Sequence, residues 1–182
     1  MLNWLMKRKL RAFGAAFDYD TRYAADLIDA DPAAGLALAR LSKVASYRAD
    51  AQAAAWYAAK IVAAMGEDCG PCVQLTVTVA QRGGVSEADL RAIVTGDIAR
   101  MTAEASLGYR FAKALLARSP ELDALRAEIL RRWGERALAA ICINIVATRT
   151  FPALKYGIGH GQSCRSVQIG SDMIAPGTPA HA

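Results

Sequence analysis

Two thiols stand three residues apart in Cys69-Gly70-Pro71-Cys72, with Glu67 and Asp68 directly before them. Cysteines at this spacing close into a small-loop disulfide and reopen, or they share a metal ion. Redox use requires a thiolate. An ordinary cysteine has a pKa of about 8.5, so its surroundings must favour the anion. A helix N-terminus does so through unpaired N–H groups and the positive end of the helix dipole. With Asp68 as N-cap, Cys69 to Cys72 fill the first turn. Pro71 is tolerated there because its missing N–H has no intrahelical partner. The acidic pair opposes thiolate formation by like-charge repulsion. If buried, Glu67 or Asp68 instead becomes a proton acceptor with a raised pKa.

Two other readings of the thiols compete with the redox dithiol. Cys69, Cys72, His160 and Cys164 supply the donor types of a Cys3His zinc site, although the two halves lie far apart in sequence. Alternatively, Cys69 and Cys72 are small hydrophobes buried at a tight turn, as Cys142 is in its apolar stretch. His160 lies in the glycine-rich run Gly157-Ile158-Gly159-His160-Gly161, where the backbone can approach a neighbouring site closely. His181 lies in the tail. The redox dithiol is the reading adopted, and it calls for no cofactor.

The elements that must position these thiols read as helices. The chain has 182 residues, 54% hydrophobic and only 7% aromatic, and is rich in alanine. That composition predicts an all-α domain with a sizeable core. Residues 1–169 form one domain, with N-terminal helices over 1–49 and a core over 50–160. The Pro/Gly-rich tail 170–182 reads as disordered. The net charge of +5 includes no long basic run, so nucleic-acid binding is not indicated. No apolar stretch of spanning length is free of charge, so a membrane span is not expected. With four cysteines and no secretory signal, the chain reads as cytoplasmic.

Helix starts are marked at Asp31-Pro32, Asp50, Ser86 and Ser119-Pro120-Glu121, and Gly134 stops a helix. The Ser86-to-Asp89 stretch resembles a capping box. Leu2, Leu5, Met6, Leu10, Phe13 and Phe17 make an amphipathic first helix. The segment 72–79 is ambiguous: it alternates like a strand and is rich in β-branched residues.

The Cys-Gly-Pro-Cys tetrapeptide also occurs in thioredoxins, but there it follows a buried strand, whereas here an alanine-rich helix precedes it. The order of elements over roughly 50–160 resembles the carboxymuconolactone decarboxylase and alkylhydroperoxidase AhpD-like proteins. The resemblance rests on a helix ending just before the CxxC, on Gly84-Val85-Ser86-Glu87, on Arg132-Trp133-Gly134-Glu135-Arg136 and on Phe151-Pro152-Ala153-Leu154-Lys155-Tyr156-Gly157. It implies an AhpD-like helical bundle, a helix over 72–82, a homo-oligomer and dithiol chemistry. The substrate would be a peroxide or a small disulfide, and a separate thiol would act as reductant. The redox branch of that family adds a His four residues after the second Cys and a Glu about twelve before the first. Those positions are Thr76 and Tyr57 here. Without that relay, disulfide exchange is expected to outpace peroxide reduction, with Glu67, Asp68, Tyr57 and His160 as candidate substitutes.

Overall fold

Alanine-rich helices pack at close range, and that governs the centre of the molecule. A computed structural model describes residues 2–177. His181 and the last tail residues, 178–182, lie outside them. The central helix α4 (Ala53–Met65) is buried along most of its length. At Gly108 a Cβ would stand 2.1 Å from the Ala55 carbonyl oxygen, so only glycine allows α7 (Ala103–Ala117) to lie so near α4. α8 (Leu122–Gly157) packs on both and is broken at Gly134, where φ is 78°. By length and composition α8 is apolar enough to cross a membrane, yet Ala140, Ile141 and Ile145 are buried in this protein core.

The remaining helices enclose that centre. α1 (Leu2–Phe17) lies on α2 (Arg22–Ala30) and on α5 (Gly70–Arg82), while α2 and α3 (Pro32–Val44) form a helical hairpin. The Asp31 carboxylate accepts from Ala33 N at 2.9 Å with Pro32 in the first turn, which is the predicted start of α3. α6 (Glu87–Thr95) opens on Ser86, whose hydroxyl accepts from Asp89 N at 3.1 Å. The second half of the expected capping box does not form. Asp89 is buried and accepts instead from Thr102 N at 2.7 Å and Thr102 Oγ1 at 3.0 Å, tying α6 to the start of α7. The all-α expectation is met, since the described residues are eight α-helices, one 3-10 turn and two short strands.

Three local expectations are corrected. Asp50 does not cap α4; Gln52 holds that position and Asp50 pairs with Arg136. Asp68 does not cap α5; Cys69 does, and Asp68 takes a left-handed backbone with φ of 47°. The stretch from Gly170 to Gly177 is not disordered. β1 (Val167–Ile169) and β2 (Asp172–Ile174) form an antiparallel hairpin about Gly170 and Ser171. Its anchors explain the order. Val167 and Ile169 are fully buried, Gln74 exchanges two hydrogen bonds with the Gln168 backbone, and Arg91 pairs with Asp172 at 2.9 Å.

Candidate functional site: a buried dithiol beside a buried lysine

The first turn of α5 delivers both thiols to one place. Cys69 is wholly buried and Cys72 is 5% exposed, and both are reduced. Helix wins over strand in this segment because Cys72, Val73, Thr76, Val77 and Ala80 make one buried face. The two threonines turn their hydroxyls onto the helix's own carbonyls: Thr76 donates to Val73 O at 2.8 Å and Thr78 to Gln74 O at 3.0 Å.

The sulfurs are unequal partners. A hydrogen bond from the Cys72 thiol lowers the pKa of Cys69 to about 7, against burial. The Cys72 backbone N–H adds to this without closing a regular capping bond, and the charge of Lys155 helps further. Asp68 works the other way, as a like charge, but is the weakest of these influences. Cys72 is correspondingly pushed far up, by its donation to Cys69 and by burial. The pair therefore gives up one proton near neutrality and holds the second tightly.

Lys155 is the residue that the sequence reading passed over. It is 3% exposed on α8. Its ammonium donates to Tyr19 Oη at 3.1 Å and lies 4.6 Å from the Tyr19 ring and 5.0 Å from the Tyr23 ring. Among the described residues no carboxylate forms an ion pair with it. The Tyr19 hydroxyl in turn favours the Cys72 anion through a hydrogen bond. Burial keeps both phenols protonated, raising Tyr23 to about 12 and Tyr19 further. Lys155 and Tyr19 thus stand hydrogen-bonded to one another beside Cys72, and both favour its anion. One signal for Lys155 was readable: Asn144, Thr148 and Lys155 recur along one face of an otherwise apolar helix, and all three are buried.

The other predicted site residues divide. Asp68 stays at the thiols but acts as a clamp. Its carboxylate accepts from Cys164 N at 2.9 Å and its carbonyl from Tyr156 Oη at 2.8 Å. Gly70 N donates to Gln162 O at 2.9 Å, so residues 162–164 form a strap over the CxxC turn. A Cβ at Gly70 would stand 2.9 Å from Ser163 O, which is why glycine is needed there. Thr76 lies on the same face as Cys72, but its hydroxyl is committed to its own helix. Glu67 is turned away to an ion pair with Arg149. His160 bonds Asp26 on α2 at 2.8 Å. The four members of the conjectured zinc set do not converge, and no group of three metal-ligating side chains occurs among the described residues.

Cys72, but not Cys69, opens onto a cavity of about 440 Å³. Its wall is mostly aromatic and aliphatic, with Phe13 and Phe17 from α1, Tyr57 from α4 and Leu75 from α5. The arrangement can exchange a disulfide with an apolar molecule that enters this cavity, and it can supply a proton to what leaves. Comparison of the chain with family models, with curated proteins and with solved structures returned no match.

Proposed function

We propose that this protein is an AhpD-like thiol oxidoreductase that reduces an apolar disulfide or hydroperoxide by cycling Cys69 and Cys72 between dithiol and disulfide, and that it works as a homo-oligomer. The carrying observation is the buried, reduced pair at the start of α5, with the Lys155–Tyr19 hydrogen bond beside it and one sulfur facing a cavity.

Cys72 is the attacking sulfur, because it lines the cavity. A proton shift along the thiol–thiol hydrogen bond moves the anion from Cys69 to Cys72, where Tyr19 and Lys155 receive it. Cys72 then attacks one sulfur of a substrate disulfide. The S–S bond breaks, and the departing thiolate takes a proton passed from Lys155 through the Tyr19 hydroxyl. Cys69 next attacks the mixed disulfide at Cys72, its proton passing to the departing sulfur, so that the Cys69–Cys72 bond forms and the second thiol leaves, and Lys155 regains its proton from solvent. Two protein thiols are oxidised and one substrate disulfide is reduced. With a hydroperoxide, Cys72 takes the terminal oxygen as a sulfenic acid while the O–O bond breaks and the protonated alcohol leaves; attack by the Cys69 thiol then closes the disulfide and releases that oxygen as water.

Thiol–disulfide exchange leans less on a general acid than peroxide cleavage does, and the acid present, Tyr19, is a weak donor because burial raises its pKa, while Thr76 and Tyr57 supply none. Disulfides are therefore the better substrates. A side-by-side steady-state assay of a small model disulfide and an alkyl hydroperoxide tests the reading on the wild type and on Cys69→Ser and Cys72→Ser. Loss of turnover in both variants, with faster disulfide reduction by the wild type, is expected. Unchanged activity in both variants would end it.

A further inference from the structure

The cavity that Cys72 lines contains a second charged group. Lys60 projects from α4 into it. Its ammonium donates to Ala45 O at 3.0 Å, to Asn144 Oδ1 at 3.1 Å and to Thr148 Oγ1 at 3.2 Å, and lies 5.0 Å from the Trp56 ring. All of these partners are neutral. Among the described residues Lys60 has no ion pair. Burial alone sets its acidity, lowering the pKa to about 8. A cation withdrawn from water without a counter-charge is costly, and an anion entering the cavity supplies the missing charge. Arg48 stands exposed on the wall of the same cavity, also without an ion-pair partner among the described residues.

The geometry also gives a length. Thr148 holds Lys60, and Lys155 flanks the thiols seven residues further along the same helix. Along the helix axis Thr148 and Lys155 are thus roughly 10 Å apart at about 1.5 Å per residue, which sets the scale of the ligand at a saturated chain of about eight carbons. Between them the wall is apolar, and a volume of about 440 Å³ suits a small organic molecule. Lys60 can turn a proton to a ligand without stripping its neighbours, because Asn144 Oδ1 also accepts from Thr148 Oγ1 at 3.3 Å.

We infer that this cavity binds an amphipathic monocarboxylate, its carboxylate on Lys60 with Arg48 at the rim and its chain running toward Cys72. Only the second half of this placement rests on the oxidoreductase reading. There it defines the substrate class: an apolar carboxylic acid that carries its disulfide or hydroperoxide at the end remote from the carboxylate.

Calorimetric titration of the reduced protein with octanoate, octanol and octylamine tests the site without any turnover. The wild type is expected to bind octanoate at least ten-fold more tightly than octanol, and octylamine most weakly. In Lys60→Met the affinity for octanoate falls to that for octanol, while octanol itself is unaffected. The Cys69→Ser, Cys72→Ser double variant keeps the preference for octanoate, so a failure of the redox chemistry and a failure of this site give different results. Octanoate also slows alkylation of Cys72 in the wild type. Equal binding of octanoate and octanol by the wild type overturns the inference, as does an undiminished octanoate preference in a folded Lys60→Met protein. The wild-type comparison stands even if that variant does not fold.

Discussion

A buried sulfur becomes a nucleophile only if something else lowers the cost of its charge, and at Cys69 that is chiefly a second sulfur. At neutral pH a thiol with the ordinary pKa is ionised to roughly 3% and one titrating near 7 to roughly half. Ultraviolet thiolate absorbance of the reduced protein should therefore rise through about pH 7, and Cys69→Ser should remove that step. The sign for stability follows from the depressed value. The Cys69 ionisation contributes its stability to the reduced fold above the ordinary thiol pKa of about 8.5, and that contribution is lost as pH falls through about 7. Thermal melts of the reduced wild type against Cys69→Ser across this window check it. Lys155→Met is expected to move the absorbance step upward, because a favourable charge is gone. Tyr19→Phe, which cuts the link between Lys155 and Cys72, should slow turnover by ~10²-fold with little change in substrate affinity. Mass spectrometry of a non-reduced digest after mild oxidation should find Cys69 joined to Cys72. A Cys142–Cys164 bridge with both CxxC thiols free would refute that pairing.

At the scale of elements, the two thiols were legible in the sequence and their supporting groups were not. A CxxC after a helical stretch is a local signal, whereas Lys155 and Tyr19 meet it only through the packing of α8 and of the segment between α1 and α2. Spacing could suggest an inward polar stripe on α8, but not which helix it would face. The strand-like composition of 72–79 misleads for a related reason: β-branched residues lose little when a helix buries them, and two threonine hydroxyls are satisfied within that helix. The hairpin at 167–174 was hidden because its Gly-Ser turn lies in a Pro/Gly-rich region and its anchors, Gln74 and Arg91, are distant in sequence. Asp89 likewise read as a cap and proved a tie between helices. Replacing it with alanine removes the buried carboxylate that accepts both Thr102 donors and should cost about 1–3 kcal/mol in chemical denaturation. Gly70→Ala forces the strap off the CxxC turn and should cost a similar ~1–3 kcal/mol, as overpacking does.

For the molecule as a whole, the outer face of α8 matters as much as its inner one. Val146 is 64% exposed and Ile143 37%, and with Val44 and Leu41 they border an apolar groove beside Cys142. Water is a poor neighbour for such a face, and a second copy of the chain offers a matching surface. Light scattering at tens of micromolar (the order of ordinary assay concentration) should show a homo-oligomer, and Val146→Asp should dissociate it without unfolding it. A monomeric wild type would remove the assembly part of the proposal and leave the chemistry standing.

The strap over the CxxC turn has a kinetic consequence. Because residues 162–164 lie over the CxxC turn and Cys69 has no exposed surface, the sulfurs are reached, among the described residues, through Cys72 and its cavity. On the oxidoreductase reading proposed above, oxidant and reductant take turns at one doorway. Such traffic gives parallel lines in double-reciprocal plots. It also makes each reactant an inhibitor when in excess, the reductant by occupying the reduced enzyme and the substrate by occupying the oxidised one. Raising the reductant should first speed and then slow the reaction, and added substrate should restore the rate. A reductant too bulky for the cavity should fail altogether unless Gly70→Ala or a similar change lifts the strap and opens a second approach.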